Sequence, residues 1–255
     1  MKRILDLIFS ILGLIILSPL LLICMSLIWL QDYHSPFYLG ERVGKNGKPF
    51  KMLKLRSMVQ DADKTGVDST SATDARITPL GSFIRRFKLD EIPQLLNVVK
   101  GEMSLVGPRP NVRRAIQLYT DEELNLLSIS PGITDIASIV FSDEGEVLRD
   151  KEDPDLAYEQ LIRPWKSKLG LLYVSHQNFL LDLKVIWITI IAIISRKVAL
   201  KKVVSLLSKL NAPDDLKKIS LREDKLIPTA LPGASAIVIS RDTVMKRQGR
   251  DRHEL

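Results

Sequence analysis

The longest apolar stretch of the chain covers residues 7–30, which are 24 residues without a charge. As a straight helix this stretch would be about 36 Å long, enough to cross a bilayer core of about 30 Å. Ser18-Pro19 lies near its midpoint, where a proline removes a backbone hydrogen bond and a serine hydroxyl can bond the freed carbonyl. The pattern predicts either a straight membrane span or a kinked, re-entrant segment of two half-helices.

The charges on the two sides of this stretch bear on its topology. Lys2 and Arg3 precede it, and six basic residues follow it at Arg42, Lys45, Lys48, Lys51, Lys54 and Arg56. The positive-inside rule would place both groups in the cytoplasm, which a single crossing cannot do. The stretch is also longer than the apolar region of a signal peptide, and no small-residue cleavage site follows it. These charges favour a re-entrant segment, while a kinked single span stays open.

The next pattern is a β-hairpin. Residues 37–43 and 49–58 flank Asn46-Gly47, and Asn-Gly is the strongest short hairpin signal. Residues 61–76 are polar and rich in Asp, Ser and Thr, so we expect a mobile loop that would serve as a lid.

Two helix starts are visible further along. Thr120 and Glu123 have the spacing of a capping box. Asp153-Pro154 predicts the start of a helix that ends near Pro164.

The apolar residues 185–194 are too few to span a bilayer, and they run into a basic segment at 195–210. One face of this segment carries Ala199, Val203, Leu206, Leu207 and Leu210. The pattern predicts a cationic amphipathic helix in the membrane interface, with a core helix of the soluble domain as the alternative. Beyond residue 211 we expect a poorly ordered basic tail.

The candidate chemistry lies in residues 88–110, which begin with the acid pair Asp90-Glu91. Apolar residues recur at helical spacing at Leu89, Ile92, Leu95, Leu96 and Val99. Pro93 fits only the first turn of a helix, so the acid pair lies at or just before a helix N-terminus. Such an end favours negative charge and binds phosphate. An ordinary helix cap is the alternative interpretation.

Arg109 follows the helix and stands between Pro108 and Pro110. Because both prolines restrict the backbone, the guanidinium is presented at low entropic cost. The prolines, the arginine and the surrounding basic residues shift the balance from a cap towards catalysis.

Composition limits the remaining possibilities. Without the membrane segment and the tail, about 160–170 residues remain, the size of one domain. Cys24 is the only cysteine and there are three histidines, which makes a zinc site or a Cys-His nucleophile improbable. A metal here would be Mg²⁺ on carboxylates.

The net charge of +7 is concentrated at the C-terminus, where residues 201–255 hold 12 Lys/Arg against 7 Asp/Glu. The excess therefore does not mark a core that binds nucleic acid, and no aromatic-basic platform for single strands is present. A basic flank beside a membrane segment is typical of contact with anionic lipid.

Taken together, these motifs resemble the bacterial sugar transferase family, the monotopic phosphoglycosyl transferases that begin lipid-linked glycan assembly. The similarity covers about residues 1–195, in the family's order. The matching pieces are Ser18-Pro19, residues 41–58, TPLGSF at 78–83, Arg85, DEIPQ at 90–94, GPRP at 107–110, PGIT at 131–134 and Tyr173, Asp182 and Thr189.

The resemblance implies an α+β fold with an N-terminal re-entrant membrane helix, a small β-hairpin and a helical catalytic domain with amphipathic interfacial helices. The divisions would be a membrane segment at 1–34, a catalytic domain at 35–195, an interfacial helix at 196–210 and the tail at 211–255. The protein would sit in the bacterial inner membrane with its catalytic domain facing the cytoplasm.

The implied reaction takes a UDP-sugar and polyprenol phosphate, releases UMP and leaves a polyprenol-diphosphate-sugar. Asp90 would be the nucleophile that forms a covalent phosphosugar intermediate, and Glu91 would assist through Mg²⁺ or as a proton acceptor. Both carboxylates would hold the Mg²⁺. The substrate-binding candidates are Arg85 and Arg109, which would hold phosphate oxygens, together with Arg56, Lys54 and Arg42.

Two other functions stay open at this point. One is a non-catalytic membrane scaffold for glycan assembly, motivated by the basic tail and by Asp135 and Ser138, which replace residues common in the family. The other is a Mg²⁺-dependent hydrolase of lipid diphosphates that uses the same acid pair.

Overall fold

The computed structural model describes residues 1–62 and 74–240, which form a mainly helical α+β fold. The helices are α1 (Lys2–Asp32), α2 (Pro79–Arg86), α3 (Gln94–Lys100), α4 (Arg113–Ile116), α5 (Ile136–Val140), α6 (Glu144–Val147), α7 (Pro154–Ala157), α8 (Arg163–His176), α9 (Phe179–Ile194), α10 (Arg196–Lys209) and α11 (Asp214–Leu221). The strands are β1 (Phe37–Val43), β2 (Pro49–Leu55), β3 (Ser104–Val106) and β4 (Gly132–Thr134).

The predicted hairpin is confirmed. β1 pairs antiparallel with β2, and Asn46 and Gly47 both have positive φ, at 55° and 77°. Positive φ at both central residues of a turn is typical of the type I′ turn, which matches the twist of the strands. β2 ends at Leu55, earlier than predicted, and Met58 instead forms an isolated bridge with Ile77.

β3 and β4 form a short parallel pair whose backbones approach closely at two glycines. A Cβ on Gly132 would fall 2.1 Å from the nitrogen of Gly107, so a side chain at this position would clash with backbone. The Gly132 N–H donates to the carbonyl of Pro108 at 3.0 Å. This contact holds the residues that follow β3 against β4.

α1 is the one helix, within the described part of the chain, that is long and apolar enough to cross a membrane. Pro19 lacks the N–H that would bond the carbonyl of Ile15, and the Ser18 hydroxyl donates to that carbonyl at 2.8 Å. The predicted bond from the Ser18 hydroxyl to the freed carbonyl is therefore confirmed. The helix continues through Pro19, so the two predicted halves are joined in one helix of 31 residues.

The N-terminal end of α1 is attached to the rest of the protein by its charged residues. The Lys2 ammonium donates to Asp182 at 2.7 Å and to the carbonyl of Val106 at 2.9 Å. One turn later, Asp6 accepts a hydrogen bond from the Ser104 hydroxyl at 2.9 Å. The start of α1 is thus bonded to β3 and α9.

The C-terminal end of α1 is attached to the same body. Asp32 accepts two hydrogen bonds from the Arg56 guanidinium, one of them at 2.6 Å. Ile28 is fully buried in a cluster with Ile84 of α2 and Leu55 of β2. Both ends of α1 therefore contact one domain, although 31 residues of helix extend over about 46 Å.

The main core lies between α5, α8, α9 and α10. The apolar face of α10, predicted to lie in the membrane interface, is buried here through Ala199, Val203, Leu206 and Leu207. The interfacial placement of this face is corrected to the alternative, a core helix, because α9 and α11 pack against it.

An exposed apolar face belongs to α9 instead. Its inner face, with Leu181, Val185 and Ile188, is buried in the core. Its outer face carries large exposed side chains at Trp187, Ile190, Ile193 and Ile194. The segment 185–194 is therefore apolar on both faces, and only one of them is buried in the core.

The helix start at Asp153-Pro154 is confirmed, since Asp153 accepts a hydrogen bond from the Leu156 N–H at 2.9 Å. The predicted end near Pro164 is wrong. A π-helical turn, Tyr158–Ile162, leads into α8, and Pro164 lies in the first turn of that helix. A proline is tolerated there because the first turn needs no intrahelical N–H donor.

The C-terminal segment is also more ordered than predicted. α11 packs against α10, and the following residues cross the domain surface, where the carbonyl of Pro232 accepts from the Thr120 hydroxyl at 2.7 Å. The expectation for residues 241–255, and the centre of the predicted lid loop at 63–73, lie outside the described residues.

A buried charge network stabilises the region where this segment binds. Thr120 and Glu123 form the predicted reciprocal capping box, with N–H to oxygen distances of 3.0 and 3.1 Å. Glu123 is also bound by Arg163 at 2.7 Å and by the Ser167 hydroxyl at 2.6 Å. Arg163 pairs with Glu159 as well. One buried arginine thus pairs with two buried carboxylates.

We expect Arg163→Ala to lower the free energy of unfolding by about 3–5 kcal/mol, because it removes the buried cation that pairs with the fully buried Glu123 and with Glu159. Urea unfolding of the purified protein in detergent, followed by tryptophan fluorescence, measures the change. The matched control is Arg149→Ala, which breaks an exposed pair with Glu146 and should change stability by less than about 1 kcal/mol. Equal effects of the two substitutions would contradict the assigned role of Arg163.

Candidate active site

The acid pair lies in a tight turn between α2 and α3. Lys88 has a positive φ of 58°, and Leu89–Glu91 form one turn of 3₁₀ helix before Pro93 begins the turn into α3. The predicted position, just before a helix, is confirmed. Within the described residues, the N-terminus of α3 has no side-chain cap, so the pair does not act as the ordinary helix cap of the alternative interpretation.

Two cations reach the acid pair from different elements. The Lys54 ammonium, on β2, lies 3.8 Å from a carboxylate oxygen of Asp90 and 3.8 Å from one of Glu91. The Arg109 guanidinium, after β3, binds the Glu91 carboxylate and donates to the carbonyl of Ile133 at 3.1 Å. β2, the turn and the β3–β4 pair therefore converge at this point.

The pKa values of the two carboxylates are shifted in opposite directions. Burial raises the pKa of Asp90, which is 7% exposed, and the nearby Lys54 offsets this only in part. Burial would also raise the pKa of Glu91, but the charges of Arg109 and Lys54 outweigh it and hold that pKa well below its usual range. Environments that separate the pKa values of two neighbouring acids are typical of sites that use them for different tasks.

The cations are affected in turn. Burial lowers the pKa of Lys54 to about 8, and the positive charge of Arg109 adds to this effect against the attraction of the acid pair. Glu91 raises the pKa of Arg109 above its usual range. Arg109 is therefore a permanent cation in this site, whereas Lys54 titrates near neutral pH.

Arg85 lies at the end of α2, a helix that begins at Thr78, whose hydroxyl accepts from the Gly81 N–H at 2.9 Å. Its charge acts on the acid pair, since it helps to counter the raised pKa of Asp90. It also contributes to the lowered pKa of Asp74. Arg85 is thus the third cation near Asp90.

The structure does not bring the other two predicted substrate-binding residues to the acid pair. Arg56 lies just beyond β2 and is bound to Asp32 at the end of α1. Arg42 donates to the carbonyl of Glu41 at 2.7 Å and pairs in register with Phe50. Because Phe50 precedes Lys54 by four residues, Arg42 lies about 13 Å along the hairpin from the site.

Among the described residues, the acid pair offers two carboxylates to the predicted Mg²⁺. The described residues contain no group of three or more His, Cys, Asp or Glu that could hold a metal. Mg²⁺ is commonly bound by one or two carboxylates together with substrate phosphates. Asp90 and Glu91 therefore fit this cation only in combination with phosphate oxygens of a substrate.

Two buried polar residues beside the site were not identified as site residues from the sequence. Asp135 follows β4 and caps α5, accepting a hydrogen bond from the Ser138 N–H at 2.6 Å, and its charge adds to the raised pKa of Arg109. Gln94 is fully buried at the start of α3. The substitution pattern drew attention to Asp135, but nothing in the local sequence indicates that either side chain is buried.

Comparison with known proteins shows which family the chain resembles. A family model described as bacterial sugar transferase matches residues 1–196. A putative undecaprenyl-phosphate N-acetylgalactosaminyl 1-phosphate transferase of Bacillus subtilis is 50% identical over 109 residues, which cover 43% of this chain and 61% of that protein. The uncharacterized sugar transferase EpsL of the same organism is 33% identical over 190 residues, 74% of this chain and 85% of the relative.

A longer relative is the undecaprenyl-phosphate glucose phosphotransferase of Komagataeibacter xylinus, 38% identical over 196 residues, which are 74% of this chain and 35% of that protein. The chain thus spans less than two thirds of two of these three relatives. The family model nevertheless covers 196 of the 255 residues, including the acid pair, Lys54 and Arg109. This protein therefore belongs to the bacterial sugar transferase family.

Proposed function

We propose that this protein transfers a phosphosugar from a UDP-sugar to polyprenol phosphate, releasing UMP and forming polyprenol-diphosphate-sugar. The observation that carries the proposal is the buried acid pair, in which Asp90 has a raised pKa and Glu91 is held ionised by Arg109. The names of the relatives from Bacillus subtilis and Komagataeibacter xylinus support the lipid acceptor and the type of transfer.

The reaction proceeds in two displacements. A carboxylate oxygen of Asp90 attacks the sugar-bearing phosphorus, a new phosphorus–oxygen bond forms, and the bond from that phosphorus to the bridging oxygen breaks, so that UMP leaves with the electron pair. A phosphate oxygen of polyprenol phosphate then attacks the same phosphorus, and the bond to Asp90 breaks to restore the carboxylate. No proton has to be transferred in either step.

The cations account for binding and charge neutralisation. Phosphoryl transfer depends mainly on positioning and on neutralising the phosphate oxygens. Lys54 and Arg85 act on Asp90 and would hold the oxygens of the diphosphate. Glu91 binds one side of the Arg109 guanidinium. The remaining N–H groups of the guanidinium would bind the substrate. Mg²⁺ bound by Asp90, Glu91 and the diphosphate would supply further charge neutralisation.

We also propose that α1 is re-entrant and that the catalytic domain lies on the cytoplasmic face of the inner membrane. The support is that Lys2 and Asp32, at opposite ends of α1, bind the same domain. A helix that crossed the bilayer would separate these two ends by the membrane. The exposed apolar faces of α1 and α9 would contact lipid, which brings the acid pair within reach of a membrane-borne acceptor.

The test of the reaction is UMP release by purified protein with Mg²⁺ and polyprenol phosphate across a panel of UDP-sugars. We expect Asp90→Asn to reduce turnover by at least about 10³-fold, because it removes the nucleophile. Glu91→Gln should also impair turnover severely, since Arg109 loses its charged partner. The control is Asp215→Asn, which breaks only an exposed pair with Lys168 and should leave turnover unchanged.

Full activity of Asp90→Asn would show that Asp90 is not the nucleophile. Release of inorganic phosphate from added polyprenol diphosphate, with no UMP released from any UDP-sugar, would favour the lipid-diphosphate hydrolase. Folded wild-type protein that releases neither product with any sugar would favour the scaffold.

The pH dependence of kcat/KM tests the role of Lys54. Because its pKa is about 8, the ammonium is charged below that pH, and its contribution to substrate binding is lost as the pH rises through it. We expect kcat/KM to fall above about pH 8, and the fall to move to higher pH in Lys54→Arg, whose charge persists. An alkaline limb at the same pH in both proteins would assign the titration to another group.

Labelling of single cysteines tests the topology. In a Cys24→Ser background, a cysteine inserted after Met1 and one at His34 should both react with a membrane-impermeant reagent only from the cytoplasm. Replacing Ser18 and Pro19 with leucine should favour a straight span and expose one of the two positions to the periplasm. Periplasmic labelling of the N-terminal cysteine in the wild-type helix would refute the re-entrant arrangement.

A further inference from the structure

Gln94, the first residue of α3, is buried in an unusual way. Its side chain is 0% exposed, and neither its amide nitrogen nor its amide oxygen has a hydrogen-bond partner among the residues that the structure describes. A buried amide without partners costs free energy of folding, and native proteins keep few of them. The position of this amide therefore needs a reason other than stability.

The same helix shows how an amide that stabilises the fold is arranged. Asn97, one turn after Gln94, donates to the carbonyl of Lys51 at 2.8 Å and to the Glu102 carboxylate at 2.6 Å. Its oxygen accepts from the Leu53 N–H at 2.9 Å. Asn97 thus connects α3 to β2, and each polar atom of its side chain is hydrogen-bonded. The Gln94 side chain makes no such hydrogen bond to the described residues.

The location of Gln94 relates it to the nucleophile. Asp90 precedes Gln94 by four residues in a continuous turn, in which the Ile92 N–H bonds the carbonyl of Leu89 and the Leu95 N–H bonds that of Ile92, so the two residues lie little more than one turn apart. Further along this segment Asn97 contacts β2, and at its start Asp90 meets Lys54 of the same strand. Gln94 lies in sequence between these two contacts with β2, and its side chain is buried.

We propose that Gln94 is a positioning residue for Asp90, an inference that rests on the proposed function. Its amide N–H donates to the Asp90 carboxylate when that side chain turns from Lys54 towards the sugar-bearing phosphorus. Because Gln94 is fully buried, it acts through Asp90 and does not touch the substrate. It keeps its proton while the bond between Asp90 and phosphorus forms and the bond to UMP breaks.

The choice of an amide follows from the charges already present. A further cation behind Asp90 would weaken the nucleophile, and another carboxylate would raise its pKa further. A neutral donor orients the carboxylate without changing the net charge of the site. It also leaves the Lys54 ammonium available to the substrate phosphates.

The test compares Gln94→Met with Asn97→Leu, two substitutions that replace a buried amide of α3 by an apolar side chain of similar size. Gln94→Met should have a thermal unfolding midpoint equal to or above that of the wild type, because it removes unpaired polar atoms. Its kcat/KM for the UDP-sugar should fall about tenfold or more, and the acidic limb of the pH profile should move to higher pH. Asn97→Leu should unfold at lower temperature with an unchanged acidic limb.

A lower unfolding midpoint of Gln94→Met with an unmoved acidic limb would overturn the inference and make Gln94 a structural residue. Wild-type activity in Gln94→Met would overturn it as well. Both results require an active wild type, so they are distinct from failure of the proposed function, in which the wild type itself releases no UMP and the inference falls with it.

Discussion

The arrangement of this protein depends on the burial of two adjacent carboxylates. A buried charge is tolerated only when it is paired, and removing one partner is costly. Here the partners come from separate elements, Lys54 from β2 and Arg109 from the residues after β3. The hairpin, the turn before α3 and the β3–β4 pair must therefore be fixed relative to one another, and the glycine contact between β3 and β4 and the three hydrogen bonds of Asn97 serve this purpose.

The membrane helix is attached beside the same cations. At one end of α1, Lys2 bonds the carbonyl of Val106, three residues before Arg109. At the other end, Asp32 holds Arg56, two residues after Lys54. Arg56 thus connects α1 to the strand that carries Lys54. Each end of α1 is therefore bonded to a residue that lies within three positions of a cation of the site.

The sequence predicted those features that depend on residues within about four positions of each other. The Asn46-Gly47 turn, the bond from Ser18 to the residue-15 carbonyl, the capping box and the place of the acid pair are all of this kind. It did not predict which element covers a given face. The apolar stripe of α10 would suit lipid as well as protein, and only the packing of α9 and α11 decides between them. Pro164 likewise suits the end of one helix or the start of the next.

The pKa of Asp90 is raised and that of Glu91 is lowered, although the two residues are adjacent and both are carboxylic acids. This difference suits them to different tasks in the proposed reaction. Glu91 is paired with Arg109, a permanent cation that stabilises its carboxylate anion. A carboxylate stabilised in this way is less basic and therefore a poorer nucleophile. Asp90 is buried with weaker compensation from a lysine 3.8 Å away, and a carboxylate whose anion is less stabilised is more basic and more reactive towards phosphorus. The proposed division of roles therefore follows from the position of Arg109, which reaches Glu91 and leaves the neighbouring Asp90 to Lys54.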